Sequence, residues 1–280
     1  MKENKKEAII LGLFKQALIK TLDDNCMGLS KEIAYSFLLS FFPMLLALVS
    51  LFFVIGNSQE SVNEVISTLT HIVPKESHSI VIPYVATMAE QPPTRLFWFS
   101  LLGTLWTASG VICSLQNAFN VIYAVKPKST FWKRRLVAFL LALAVVIPIL
   151  VSTTLTIFAS QLELFFVNRY RLQWREPWIV GHWIVMVAAT LSIAAVLYRA
   201  GVERKQSWKG ILPGAVVATF LWLIIRIPFN LYVKNFGSYN RVYGSLGAVI
   251  VLLIWMFVAA LILLYGAEFN YQVEKFYRKK

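Results

Sequence analysis

The sequence contains few of the residues on which most enzyme active sites depend. Its 280 residues include only 2 cysteines, 3 histidines and 14 acidic residues. Hydrolysis by metal ions or by general acids and bases needs such side chains in a close group. No such group is visible, and no P-loop, GxGxxG, GxSxG or HExxH motif occurs. The sequence therefore predicts a protein that is not an enzyme and that has no metal site and no cofactor.

The two cysteines do not form an obvious pair. Cys26 precedes the first long apolar run, whereas Cys113 lies inside the second. A disulfide is therefore not expected. We expect a buried thiol at each position, with acylation next to the membrane as an alternative for Cys26.

Charged residues are also scarce, at 15% of the chain, whereas 58% of the residues are hydrophobic and the mean hydropathy is +0.65. A soluble domain is close to half apolar and a quarter charged. The excess lies in apolar runs of about 20 residues or more, a length that crosses the hydrocarbon core of a bilayer. The composition predicts an all-α fold, a polytopic helical bundle in a membrane.

Six runs are long enough to span. They cover residues 33–55, 96–124, 136–158, 178–197, 211–233 and 246–267. In the first of them, Ser36, Ser40 and Pro43 fall on one face, and small polar residues with a proline on one face predict a contact between helices.

The N-terminal segment has a different pattern. Leu11, Phe14, Leu18 and Leu22 recur at spacings of three and four, with lysines between them, until residues 23–25 interrupt the helix. This pattern predicts an amphipathic helix that is too charged to span. It lies either in the cytoplasmic interface of the membrane or against the cytoplasmic face of the protein itself.

Basic residues are distributed unevenly about the six spans. Of the 27, 19 fall in the N-terminus, the loops 124–135 and 198–210 and the C-terminus, and seven fall on the other side. Because cytoplasmic loops are rich in Lys and Arg, both termini are predicted to be cytoplasmic. The bias also accounts for the net charge of +13 without a nucleic-acid partner. The predicted organisation is a single membrane domain, 1–280, made of an interfacial helix (1–30), a six-span bundle (33–267) and a basic cytoplasmic tail (268–280).

Two segments on the outer side have patterns of their own. Residues 57–94 form the longest loop, and their apolar spacing predicts two short amphipathic helices on the outer face. Residues 235–248, NFGSYNRVYGSLGA, form a polar hairpin between the last two spans. Its glycines allow a tight turn between antiparallel helices. Alternatively the turn also lines a substrate path, with Tyr239 and Asn240 as lining residues.

Several segments, in this order along the chain, carry a resemblance to a known family. They are AYSFLLSFFPML, WTASGVICSLQNAFNVIYAV, FWKRR, and NFGSYNRVYGSLGAVIVLLIWMF followed by LILLYGAEFN. They resemble the YihY/BrkB family of bacterial membrane proteins, which is also called a virulence factor and was once labelled ribonuclease BN. The resemblance implies a multi-pass protein of the bacterial inner membrane, but it implies little chemistry.

Polar side chains mark the second span and the fifth. Amides within lipid are costly unless they have partners, so the stripe in the second span must face protein or water. It either makes hydrogen bonds between helices or forms one wall of a polar cavity. The residues of this stripe that are candidates for a cavity lining are Ser109, Gln116, Asn117 and Asn120.

Arg226 is the one charge deep inside a predicted span, with Asn230 one turn later. Three alternatives follow for Arg226. Its side chain snorkels to the interface, it coordinates an anion in a cavity, or it forms a structural ion pair. Glu268 is predicted at the opposite end of the bundle, which argues against a direct pair between the two.

Two functions remain. The first is transport, or the handling of a lipid or envelope component, through a polar cavity lined by the residues above, with membrane lipids as partners and a lipid or small anion as substrate. The second is a non-transporting membrane scaffold in envelope maintenance or resistance. The substrate and the energy source stay open at this point. The oligomeric state also stays open, with an oligomer as one alternative.

Overall fold

Seven α-helices account for most of the chain that the structure describes. The computed structural model describes residues 2–56, 93–148, 151, 175–235 and 245–278. No strand occurs among these residues, which confirms the all-α fold. The helices are α1 (Lys2–Asp23), α2 (Cys26–Gly56), α3 (Pro93–Ile122), α4 (131–148), α5 (Arg175–Ala200), α6 (Trp208–Asn235) and α7 (Ser245–Arg278).

Five of the described helices hold apolar segments that are long enough to cross a membrane. The segments are Cys26–Ala47, Phe97–Ile122, Trp183–Ala200, Trp208–Tyr232 and Val249–Arg278. They overlap five of the six predicted spans and confirm a polytopic helical membrane protein.

Parts of the prediction fall on residues that are not described. α4 covers the first part of the third predicted span, 136–158, and most of the remainder lies outside the described residues. The two helices predicted for the outer loop and the middle of the hairpin, 57–92 and 236–244, lie outside them as well.

The apolar face of α1 is largely open. Leu11, Leu18 and Leu22 are 72%, 56% and 60% exposed, whereas the ring of Phe14 lies 4.6 Å from that of Phe269 in α7. An amphipathic helix with leucines free to enter lipid favours the membrane interface over packing against the protein alone. The predicted interruption after α1 is confirmed by Asn25, whose φ of 52° is tolerated by Asn better than by most residues.

The chain forms two compact units. Unit 1 contains residues 1–29, 115–224 and 261–280, and unit 2 contains residues 30–114 and 225–260. The prediction of a single domain over the whole chain stays a prediction.

Within unit 1, α6 and α7 approach so closely that their backbones touch. A Cβ on Gly214 would collide with the carbonyl oxygen of Gly266 and with the side chain of Asn270. A Cβ on Gly266 would lie 2.7 Å from the Gly214 oxygen and 2.9 Å from Cβ of Ala218. Small residues permit this approach, which is the usual way that helices pack in membranes.

Asn270 bridges the same two helices. Its Oδ1 accepts a hydrogen bond from the Gly214 amide at 2.6 Å, and its Nδ2 donates to the Ile211 carbonyl at 3.0 Å. The side chain is 1% exposed. A fully buried amide with both ends satisfied fixes the level at which the helices cross.

Within unit 2, α2 and α3 meet through small polar side chains. The Ser36 and Ser114 hydroxyls are 3.1 Å apart, and the Thr107 hydroxyl donates to Ser40 at 3.3 Å. A Cβ on Gly103 would lie 3.7 Å from Cβ of Pro43. The helix contact predicted from the spacing in the first span is therefore confirmed.

Candidate functional site

Polar groups in unit 1 gather where helices end. α3 ends at Ile122, and Ala124 has a φ of 51°. The Val125 amide donates back to the Asn120 carbonyl at 2.8 Å, which closes the turn. The chain then runs through a basic loop into α4. A second short connection, 201–207, joins α5 to α6, and the two connections meet.

Glu203 joins these two connections. Its carboxylate accepts hydrogen bonds from the Lys128 amide at 2.9 Å, the Ser129 amide at 3.1 Å and the Ser129 hydroxyl at 2.6 Å. The Nε of Arg134, in the first turn of α4, lies 3.5 Å from the same carboxylate. We call these four residues the Glu203 latch.

The latch perturbs the Glu203 carboxyl. Burial alone would raise its pKa, but the hydrogen bonds from Ser129 and Lys128 and the charge of Arg134 outweigh burial and lower it. The folded protein therefore stabilises the ionised form of the Glu203 carboxyl.

Two amides of the polar stripe hold the latch in place. Asn120 Oδ1 accepts a hydrogen bond from the Glu203 amide at 3.1 Å, and Asn117 Oδ1 accepts one from Arg134. These are contacts between separate elements of unit 1. They support the first alternative for the stripe, hydrogen bonding between elements, at these two positions.

Arg204 connects the 201–207 segment to the end of α7. Its guanidinium pairs with Glu274, which also pairs with Arg278 at 3.0 Å. The same guanidinium lies 5.1 Å from the ring centroid of Tyr123, and the Tyr123 ring contacts that of Tyr271 at 5.5 Å. Burial raises the pKa of Tyr123, so its phenol stays neutral at physiological pH.

The segment after α5 also borders an open groove of about 730 Å³. Arg199 is held at its edge, because its Nη1 donates to the Gln206 carbonyl at 2.8 Å and its guanidinium lies 4.4 Å from the Trp208 ring centroid. The groove is lined by Arg199, Ala200, Val202, Glu203, Arg204, Lys205 and Gln206.

Sequence reasoning missed the polar groups near the end of α7. The residues 268–280 were predicted to be a basic cytoplasmic tail, and α7 continues through them to Arg278. Glu268 and Gln272 are 0% and 6% exposed. Their spacing of four, with Phe269 between them, was the signal for one buried helix face.

The remaining predicted site residues are distributed over both units. Gln116, in unit 1, is buried, and its Oε1 has no hydrogen-bond partner among the described residues. Ser109, in unit 2, is buried and donates to the carbonyl of Trp106 in its own helix at 2.6 Å. Tyr239 and Asn240 lie outside the described residues.

Arg226 and Asn230 lie on an exposed flank of α6 in unit 2. Ile227 and Leu231 on this half of the helix are 68% and 57% exposed. A guanidinium among exposed apolar side chains in a span is accessible to lipid, and its long stem lets it reach the membrane surface. This exposure supports an accessible Arg226 over one enclosed in the bundle.

No group of three or more His, Cys, Asp or Glu side chains in the described ranges is arranged to hold a metal ion.

The family model of virulence factor BrkB matches residues 17–280. The chain belongs to this family. The match covers α1 from Ala17 onward and all described helices after it. Membership confirms the resemblance that the sequence segments carry.

The chain is also similar to several individual proteins, whose names describe a membrane protein or a ribonuclease-like protein. The ribonuclease-like protein YfkH of Bacillus subtilis is 30% identical over 254 residues, which are 90% of each chain. A UPF0761 membrane protein of Rhodospirillum centenum is 22% identical over 92% of this chain and 56% of its own length. A UPF0761 membrane protein of Psychrobacter is 23% identical over 91% and 47%. This BrkB-family chain thus spans about half the length of these last two relatives. No solved structure matches it.

Proposed function

We propose that this BrkB-family membrane protein handles a lipid or another small anionic component of the envelope, and that it binds the anion at Arg226 and Asn230. The observation that carries the proposal is the exposed flank of α6, where a guanidinium and an amide lie among exposed apolar side chains. Such a surface can hold a phosphate and a hydrocarbon chain at the same time.

The chemistry of arginine supports an anionic ligand. Arg stays protonated at any relevant pH, and its planar group binds phosphate through two hydrogen bonds. Arg226 comes 18 residues after Trp208 in the same helix, about 27 Å at 1.5 Å per residue. It is therefore far along the span from the basic connection that precedes α6. In a hydrocarbon core of about 30 Å its long side chain can reach the lipid headgroups of the opposite leaflet.

The orientation of the chain is part of the proposal. The distribution of 19 basic residues against seven favours cytoplasmic termini in the bacterial inner membrane. Reporter fusions at residue 75 and residue 205 are expected to report an external and a cytoplasmic position, respectively. The opposite pattern would exclude this topology.

We propose further that the protein is not an enzyme, in spite of the ribonuclease-like name of its Bacillus relative. The sequence contains no close group of His, Asp and Glu that could bind metals or transfer protons. Binding of an anionic ligand requires none.

Substitution of Arg226 tests the lipid-binding function. In a strain that lacks the gene and shows an envelope-stress phenotype, we expect Arg226→Ala and Arg226→Met to fail to complement. Arg226→Lys keeps the charge but loses the planar fork, so partial complementation is expected. Phospholipid that copurifies with the protein is expected to decrease in Arg226→Met.

The matched control is Lys209→Met, which removes the same charge from an exposed position at the beginning of the same helix. It is expected to complement fully. Membrane abundance of all variants is measured by immunoblot. Full complementation by Arg226→Met at normal abundance would exclude the lipid-binding role, and degradation of that variant would assign the residue to structure.

A non-transporting scaffold is the second candidate. It is favoured by one observation: two amides of the polar stripe, Asn117 and Asn120, are engaged in holding the latch. If Arg226 variants complement while variants that break the latch do not, the scaffold is the better description.

A further inference from the structure

We propose that the groove at residues 199–206 in unit 1 binds the headgroup of an anionic phospholipid. This site is separate from Arg226 and goes beyond the proposed function. The occupant is a lipid of the leaflet beside the basic loops, and it is held by Arg199, Arg204 and Lys205.

The groove is built on a fixed segment. Val202 is 6% exposed, and a Cβ on Gly201 would lie 2.8 Å from the ring of Phe119. The Glu203 amide is bonded to Asn120, and its carboxylate is engaged by the latch. The backbone that carries the basic side chains is therefore held against α3, and little ordering is required when a ligand binds.

The basic side chains are also partly preorganised. Arg199 is fixed by its hydrogen bond to the Gln206 carbonyl and by the Trp208 ring, and Arg204 is fixed over Tyr123. Lys205 is exposed. The Gln206 Nε2 is a buried donor with no partner among the described residues. A phosphate diester offers acceptors to the exposed Lys205 ammonium and to the remaining N–H groups of the two arginines.

The balance of charge in this region is positive. Each of the two acids near the groove is already engaged by arginine: Glu203 by Arg134, and Glu274 by Arg204 and Arg278. Positive charge is added by three exposed lysines of the neighbouring loop and helix, Lys126, Lys128 and Lys133. Residues 124–135 contain no acidic residue.

Aromatic residues decide between a membrane and a nucleic acid. Phe131, Trp132 and Trp208 are 60%, 68% and 53% exposed. They are located at the first residues of α4 and α6, where these apolar helices begin. Exposed Trp at the end of a span is an interfacial anchor, so the basic groove lies at headgroup depth. Basic pockets in this position bind anionic headgroups.

Thermal stability of the full chain, purified in detergent, provides the test. Phosphatidylglycerol is titrated against phosphatidylcholine, and the shift in melting temperature gives an apparent affinity. We expect phosphatidylglycerol to raise the melting temperature more than phosphatidylcholine does, and we expect added salt to reduce this difference. The double variant Arg199→Gln/Lys205→Gln is expected to lower this affinity roughly tenfold or more, because both charged side chains would donate hydrogen bonds to the headgroup phosphate.

The control double variant is Lys15→Gln/Lys31→Gln, which removes the same charge from exposed positions outside the groove. It is expected to keep the affinity. Because Arg199 contacts Trp208, the single variant Lys205→Glu serves as a check that does not disturb that contact. Equal losses in the groove and control doubles, or an unchanged affinity in Lys205→Glu, would overturn the proposal.

Two further ligands distinguish the alternatives. Inorganic phosphate alone is expected to give no comparable shift, and an equal shift would assign the groove to a free anion. A single-stranded RNA oligonucleotide is expected neither to bind in competition with the lipid nor to be cleaved. If RNA displaces the lipid and Lys205→Glu abolishes RNA binding, the groove is a nucleic-acid site and the lipid proposal is wrong.

Discussion

Alanine in place of Gly214 is expected to prevent stable folding of unit 1, although the substitution adds only one methyl group. The added Cβ would collide with the Gly266 carbonyl oxygen and the Asn270 side chain. Neither neighbour can retreat cheaply, because one is helix backbone and the other is an amide bonded at both ends. We expect a loss of about 3 kcal/mol or more, in the range of severe overpacking.

Gly181→Ala is the matched control for this substitution. Gly181 lies in α5 of the same unit, and nothing is within 4 Å of its ideal Cβ. Since Ala has a higher helix propensity than Gly, this variant is expected to be neutral or slightly stabilised. Both variants are compared with wild type by their abundance in the membrane and their melting temperature in detergent. A Gly214→Ala protein with normal abundance and melting temperature would contradict the close contact of the two helix backbones.

Removal of the Glu203 carboxylate is the second change with a large expected effect. Glu203→Ala would leave the Lys128 amide, the Ser129 amide and the Arg134 guanidinium without their acceptor. Hydrogen bonds to a charged group contribute about 1.5–3 kcal/mol when they are shielded. Because the Glu203 side chain is 21% exposed, we expect a total loss of about 2 kcal/mol.

The Glu203 latch also has a predicted dependence on pH. The pKa of the Glu203 carboxyl is lowered from the ordinary value of 4.5. The ionised carboxylate is therefore more stable in the folded protein than in the unfolded chain. The stabilisation is complete above the ordinary value and is lost as the pH falls through the lower, folded value. The difference in melting temperature between wild type and Glu203→Gln is therefore expected to shrink below about pH 4.5.

Glu32→Gln supplies the control for this pH series, because Glu32 is an exposed acid in α2. It is expected to change neither the melting temperature at neutral pH nor its dependence on acid. A Glu203→Gln protein that keeps the same difference from wild type down to acidic pH would show that the latch does not act through the carboxylate.

The sequence was sufficient for five of the six predicted spans and for one helix contact, because both depend on local patterns. Apolar length alone locates the membrane segments, and the spacing of Ser36, Ser40 and Pro43 indicated the face on which α2 meets α3. The periodic pattern of α1 likewise predicted an amphipathic helix. These signals lie within one helix and need no knowledge of its neighbours.

The Glu203 latch was not predictable from the same signals. Ser129 and Glu203 are 74 residues apart, and neither residue belongs to a periodic element. The buried polar face near the end of α7 was missed for a related reason. Glu268 terminates the apolar run and resembles the beginning of a polar tail, whereas packing inside unit 1 keeps the helix intact and buries the carboxyl. For Arg226 the sequence left three alternatives, and its exposure could be assigned only from the folded chain.

The contact of Gly214 with Gly266 restricts how this protein can move. Sliding α6 along α7 by a single residue, about 1.5 Å, would carry Asn270 away from both of its backbone partners. Shear between these two segments of unit 1 is thereby opposed by the same atoms that hold them together. A movement of this protein that keeps these hydrogen bonds must therefore carry the two segments together as one rigid body.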